Sequence, residues 1–397
     1  MSFRKLIFIF LLVFSSPSWA QRTAITPQEA DADSYQLYLN GNWPVLLGYG
    51  KEALKDNVDF TYLRLRMAYA AFMLKNYAEA LKHYDAVLIK DSHNEVAHYY
   101  SRLCRLYLNQ GEMAAYEVLP LSHIMSKENF DKEHFVKYRP TEAALESSLK
   151  FTDTSARGSA NYVAAKLGWQ LGHRINVQQS LIMYNQTISE PWYTGVTRND
   201  SIAIRQKEYY NKVSVVVNHH WMLKGGYHFI YTPFNNYTFR NHMVMVGAKY
   251  YGSYLNLQAM LMGGKLNDSA LQQLDLQAEY FPAGNLNIYG QTTASIHNSY
   301  GQKQFNIKQV LGFKLRSDLW TEVNATAGKF NNRFENDGAY VYNAIDNNIY
   351  KLGLNLFYYP TAHLQFMAGL TLEKREMFKT DYIFNQNSIN GGITWKF

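Results

Sequence analysis

Cysteine is almost missing from this chain: Cys104 is the single thiol in 397 residues. One thiol cannot close an intrachain disulfide, which excludes a small cross-linked scaffold. Long hydrophobic runs are missing as well. Beyond the nine residues Leu6 to Phe14 the apolar stretches are shorter still, and mean hydropathy is -0.32, so a bundle of membrane-spanning helices is excluded. Charge of either sign is sparse, at 18% of residues with a net +7. With no basic run or base-reading motif, nucleic acid is excluded as a partner, and anionic headgroups or acidic polymers fit better. Chemistry-bearing constellations are lacking too. Asp275 and Glu279 lie four apart on a predicted strand, about 13 Å, too far to share a reacting atom. His83, His93, His98, His123 and His134 show no ligand spacing and are expected on the surface, while Cys104 is expected inside a helix. The sequence therefore predicts no enzyme, no catalytic residue, no metal site and no cofactor.

Aromatic residues are abundant: 15% of the chain, with 32 Tyr. The chain opens with Arg4 and Lys5, the apolar run, and Ser18-Trp19-Ala20 ahead of Gln21. A charged n-region, a short apolar core and a small-x-small site predict a cleaved secretory signal over residues 1–20.

Residues 21–126 carry a helical period that repeats. Asn42-Trp43 aligns with Asn76-Tyr77, and Ala53-Leu54 with Val87-Leu88, a register of 34 residues that signals stacked helix pairs. The stretch Tyr62 to Ala71, followed by Asn76-Tyr77-Ala78-Glu79-Ala80-Leu81 and Tyr84-Asp85-Ala86-Val87-Leu88, resembles a tetratricopeptide repeat, with Ala68, Ala80, Tyr84 and Val87 at the small and packing positions. A third unit starts near Glu95 and turns at Asn109-Gln110-Gly111, one residue out of register. Gly50 inside a helix and Ser92 in place of proline mark the outer units as degenerate. The resemblance implies a concave surface that docks a partner; a short cap that plugs or braces a C-terminal barrel is the other reading. The charged run from Lys127 and the proline at Pro140 predict a linker over 127–142, separating two units.

From residue 143 the period changes to two. Leu145, Leu149 and Phe151 alternate with Glu146, Ser148 and Lys150. Val213 and Val215 alternate with Lys212 and Ser214, and Trp221 and Leu223 stand opposite Lys224. Segments of about 9 to 13 residues with this pattern run to the chain end, long enough to cross a bilayer when tilted. Their links alternate: Gly172-His173-Arg174, Gly252-Ser253 and Pro360-Thr361-Ala362 are tight, whereas Ile188 to Ser201, Lys329 to Asn347 and Lys374 to Gln386 are long and polar. About 14 strands result, or 12 on another count.

The last eight residues read as a strand, with Ile393, Trp395 and Phe397 on one face. Asn390, Gly392, Trp395 and Phe397 resemble the C-terminal assembly signal of Gram-negative outer-membrane β-barrels. The whole chain resembles such barrels with an N-terminal tetratricopeptide domain: an α+β multidomain protein, a short α-solenoid followed by an antiparallel transmembrane β-barrel over 143–397. The resemblance implies an outer-membrane location with the helices in the periplasm, contact with outer-membrane lipid and the barrel-assembly machinery, and a periplasmic protein held by the repeats. It implies a pore or export conduit, with a closed barrel serving as an anchor as the alternative.

Strand parity extends this to lumen charge. Each strand's apolar set marks the lipid face, so Lys212, Lys224, Lys249 and Lys351 point inward, together with Lys150, Lys166, Lys308, Lys314 and Lys396, against fewer acids: Glu146, Asp275, Glu279, Glu322 and Glu373. A basic lumen predicts preference for an anionic solute or polymer.

Overall fold

A computed structural model describes residues 24–397 apart from 134, 136, 190–200, 235, 236, 300, 345, 379 and 381. The secretory-signal reading of residues 1–20, and most of the loop after Ile188, lie outside the described residues.

Helices come first. Thr26 caps α1 (Pro27–Leu39) through a capping box with Glu29, and α2 (Trp43–Lys55) comes next. The further pairs are α3 (Thr61–Met73) with α4 (Tyr77–Lys90), and α5 (Glu95–Tyr107) with α6 (Gly111–Ile124). First helices thus begin at 27, 61 and 95 and second helices at 43, 77 and 111, so the third pair holds the 34-residue register rather than slipping by one. The turn inside each pair repeats as well, with a left-handed residue at Gly41, Lys75 and Asn109. Only glycine takes that backbone without cost; the lysine and asparagine are held there by the helices on either side. Gly50 is a packing residue: a Cβ on it would come within 2.5 Å of Met67 Sδ. Alanines 68, 71, 80 and 97 let the helices approach, and Cys104 packs among them, fully buried. His83 and His98 are buried rather than on the surface, because both lie at helix–helix contacts where Arg64 or Glu117 partners them. The short α7 (Lys127–Lys132) leads to the first strand, which opens at Tyr138.

Fourteen strands then close into one antiparallel barrel. They are β1 (Tyr138–Thr152), β2 (Arg157–Leu171), β3 (Ile175–Ser189), β4 (Ser201–Val216), β5 (Trp221–Phe234), β6 (Tyr237–Tyr251), β7 (Leu255–Leu266), β8 (Ser269–Tyr280), β9 (Ile288–Ser299), β10 (Gln302–Arg316), β11 (Leu319–Phe330), β14 (Asn347–Tyr358), β15 (Leu364–Glu376) and β16 (Ile383–Lys396). Two further strands, β12 (Arg333–Glu335) and β13 (Tyr340–Tyr342), pair only with each other. At 12 to 16 residues the barrel strands lie at or beyond the upper end of the expected length. Closure is made by β1 against β16, in register from Glu142↔Lys396 to Thr152↔Gln386.

Alternation is what fixes the barrel's two faces. Val244, Val246, Leu257, Leu261, Leu354 and Leu370 stay exposed on the outside, an apolar belt that only lipid covers favourably. Trp169, Trp221, Tyr358 and Trp395 stand outward at strand ends on the side of the short turns, where amphipathic rings mark a membrane interface. The opposite side is less uniform than expected: the turn at Asn267-Asp268 is tight, like that at Gly301.

The helical unit is seated on the short-turn end of the barrel. Met113 and Tyr116 pack with Val216, Met222 and Tyr251, and Phe281 joins the helical core. Arg105 Nη2 donates to His219 O at 2.7 Å. Tyr254 Oη reaches Asn76 Oδ1 and Glu79 Oε2, each at 3.1 Å; burial pushes its phenol up to about 12, so it stays a donor. The β8–β9 turn completes the contact, with Ala78 N donating to Gly284 O at 3.0 Å. Gly284 has φ +67, and a Cβ there would lie 1.8 Å from Asn76 Oδ1. Gly284→Ala is therefore expected to loosen the helical unit while leaving the barrel closed. Limited proteolysis should cut the helices faster at an unchanged heat-modifiable gel shift of the barrel; unchanged proteolysis would show that this turn does not hold the unit.

Candidate functional site

The barrel encloses a lumen, and its contents come from three places. Strand residues of inward parity line the wall, the α5–α6 turn closes the short-turn end, and the connection between β11 and β14 folds back inside. That connection carries the β12–β13 hairpin, tipped by Asn336, Asp337 and Gly338, all with positive φ. Asparagine, aspartate and glycine are the residues that tolerate this conformation.

The hairpin is held by both of its chemistries. Its apolar side, Phe334 and Val341, lies against a patch of inward methionines, Met243, Met245, Met260 and Met262, with Tyr210 and Ile230. Methionine fills irregular gaps, which suits a wall that receives a loop. Its tip is pinned by polar groups. Asp337 accepts from Lys212 Nζ at 3.1 Å, Lys224 Nζ at 2.8 Å and Gln258 Nε2 at 2.8 Å. Tyr210 Oη donates to Asp337 O at 3.0 Å, and His228 Nδ1 lies 2.7 Å from Gly338 O. Nearer the loop's base, Glu335 faces Lys351 at 3.3 Å and Lys308 at 3.8 Å. Arg157 clasps Asp346 through two bonds of 2.7 Å.

All four lysines singled out from parity point into the lumen, and each has a carboxylate. Lys212 and Lys224 share Asp337, Lys351 meets Glu335, and Lys249 binds Glu279 at 2.7 Å. Three of the four are thus matched from the β11–β14 connection, which brings three acids, Glu335, Asp337 and Asp346, against one arginine, Arg333. Sequence reasoning treated this stretch as an exterior loop and missed its acids. The available signal was the alternation Phe334, Tyr340, Tyr342 around Asp337-Gly338, a hairpin pattern, together with strands β6 and β7 being apolar on both faces.

Below the tip a chamber of about 1050 Å³ remains, between the hairpin and the helical unit. Lys166, Lys212, Lys224, Lys249 and Lys396 line it with Glu112, Glu142, Glu146, Glu279, Glu322 and Asp337, so its charges are near balance, and Leu106, Asn109 and Gln110 form its floor. A cleft of about 390 Å³ adjoins it between α6 and the rims of β1 to β4, sharing Glu112, Glu142, Gln178 and Lys396.

The four residues of the C-terminal pattern divide by parity. Asn390 donates to Thr371 Oγ1 at 3.0 Å, and Gly392 sits opposite Glu146, where a Cβ would come within 3.3 Å of that side chain. Trp395 and Phe397 face outward and are about half exposed.

No protein-family model and no curated protein matches the sequence. Solved structures do. A FadL homologue from Pseudomonas aeruginosa is similar at 9% identity, covering 66% of this chain and 91% of that one, with a TM-score of 0.44. The outer membrane protein Omp33 of Acinetobacter baumannii shares 8% identity over 65% of this chain and 99% of its own, TM-score 0.37. A deltaS2 mutant of the TodX monoaromatic hydrocarbon channel shares 10% over 66% and 90%, TM-score 0.45. Identities and TM-scores this low leave the fold to be read from the chain's own strands: a closed antiparallel β-barrel of 14 strands behind a set of N-terminal helices.

Proposed function

We propose that this protein is a gated outer-membrane conduit with anion preference, closed at rest by the β12–β13 hairpin. The observation that carries the reading is how the lumen is blocked. One loop fills it, anchored at both ends on neighbouring barrel strands, and its acids occupy the lysines that would otherwise line the pore. Withdrawal of that loop would both open the passage and expose a basic wall, coupling gating to selectivity. The helical unit sits on the end with short turns, the end that faces the periplasm in outer-membrane barrels. The cleft beside α6 then gives an anionic solute or polymer segment a periplasmic way into the chamber. Helix pairs of tetratricopeptide type, with their remaining surface free of the barrel, would hold a periplasmic partner near that entrance.

A second reading has an observation of its own: the lumen is closed twice, by hairpin and by helices, which suits a barrel that only anchors the helical unit. Planar-bilayer recording separates the two. Arg333 and Tyr342 are paired across the hairpin, so residues 333–342 can be exchanged for a short Gly-Ser linker without stretching the chain. The intact protein should show rare openings, and the exchanged one a large, steady, anion-preferring conductance. A silent exchanged barrel that still inserts would favour the anchor.

A further inference from the structure

Where the helical unit meets the barrel, three side chains from three elements converge: His98 on α5, Glu117 on α6 and His219 in the β4–β5 turn. His98 and Glu117 are 1% exposed and His219 32%. His98 Nε2 lies 3.1 Å from Ser92 O. A carbonyl oxygen only accepts, so Nε2 carries the hydrogen and Nδ1 of the neutral ring is a lone pair. That lone pair faces Glu117 Oε2 at 3.0 Å. Two acceptors at this distance repel unless a proton or a metal cation stands between them. His219 Nδ1 brings a third ligand atom to 3.1 Å from Glu117 Oε1, and the three groups' ligand atoms all lie within 4.8 Å of one another.

We infer that His98, Glu117 and His219 form a site for a divalent transition metal, zinc by preference, that fastens the helical unit to the barrel. Two imidazoles and a carboxylate are a zinc ligand set, and four-coordinate zinc with bonds near 2.0–2.2 Å places neighbouring ligand atoms about 3.3 Å apart, close to the 3.0 and 3.1 Å between Glu117 and the two rings, while the histidines' own atoms lie within 4.8 Å of each other. The Ser92 carbonyl on the far nitrogen of His98 is the outer support that orients a ligating histidine. His219 is the half-open side, leaving a fourth position for water. Arg105 Nε also touches Glu117 Oε1, at 3.2 Å, and opposes a cation, which lowers the affinity of the site without removing a ligand. The ligands come from both units, so metal binding stabilises the docked arrangement over the separated one.

The test uses the full-length, untagged protein in detergent, stripped with a chelator. Zinc titrated calorimetrically should bind at one per chain, and cobalt(II) should give the intense visible bands of a tetrahedral site. His219→Ala, in a solvent-reached turn, should weaken zinc by about tenfold or more with the barrel's heat-modifiable gel shift intact; His93→Ala, exposed and outside the cluster, should change nothing. Zinc should also slow proteolytic release of the helices in the wild type but not in His219→Ala. Absence of stoichiometric binding, or equal affinity in His219→Ala, overturns the site. So does a junction that tightens with falling pH and ignores zinc, which would assign the cluster to a protonated His98 clamped between Ser92 and Glu117.

Discussion

Asp337→Asn should turn a barrel that is nearly always shut into one that opens in frequent bursts. The carboxylate is the only acid within ion-pair distance of both Lys212 and Lys224 among the described residues. Lys224 keeps Gln258 as a partner, while the hydrogen bond of Lys212 goes to Asp337 itself. Replacing the carboxylate by an amide of the same shape leaves the hairpin's apolar contacts alone and strands two ammonium groups. Breaking a buried ion pair by removing one partner costs about 3–5 kcal/mol. The chamber's water reaches the tip, where Asp337 is 15% exposed, so the low end of that range applies. At 1.4 kcal/mol per factor of ten, the closed-to-open ratio should fall by about a hundredfold. Single-channel recording gives that ratio directly. An open probability equal to wild type would mean that Phe334 and Val341 in the methionine patch, and not the ion pairs, hold the plug; Phe334→Ser would then be the opening substitution.

Salt should act on the same contacts. Raising ionic strength from 0.1 M to 1 M shortens the screening length from about 10 Å to about 3 Å. Partly hydrated pairs at the tip weaken under that change more than the dry contacts of Phe334 do. Openings of the intact protein should therefore become more frequent with salt, even as any selectivity of the open state declines.

The barrel was legible in the sequence because a membrane strand is written by parity, and parity survives whatever the loops do. Leu145, Leu149 and Phe151, and Val213 with Val215, share one parity because lipid touches only that face, and the short turns punctuate the strands. The 34-residue spacing was legible for the same reason: a stacked pair cannot drift without moving its alanines off the seam. Exclusion from lipid turns a strand lysine inward, but it does not say which group will meet it there. Asp337 lies 113 residues from Lys224, and the hairpin pattern around Asp337 and Glu335 does not say that the hairpin folds into the lumen. The same limit hid His98 and Glu117. Each looks like a surface residue on its own helix, and only the stacking of α5 on α6 and the approach of the β4–β5 turn removes them from water.

Selectivity is where parity and the hairpin give different answers, and the lysines decide between them. Parity alone makes the lumen basic; with the hairpin inside, Lys212, Lys224 and Lys351 are matched by acids, and the intact lumen is close to balanced. The hairpin-exchanged barrel is thus expected to prefer anions clearly, because those three lysines lose their partners, while Lys249 retains Glu279. In that background, changing Lys212, Lys224 and Lys351 to glutamine should bring the reversal potential across a salt gradient close to that of an unselective pore. Changing Lys249 alone should move it towards cations by less than the triple change does, because one positive charge is lost and Glu279 is left unmatched. The series orders the residues by their partners rather than by their depth: the largest shift belongs to lysines whose acid came from the loop. Reversal potentials that stay on the anion side in the triple variant would place the selectivity elsewhere, on Lys150, Lys166 or Lys396. Cation preference in the exchanged barrel before any lysine is changed would remove the anion reading altogether, whatever the conductance.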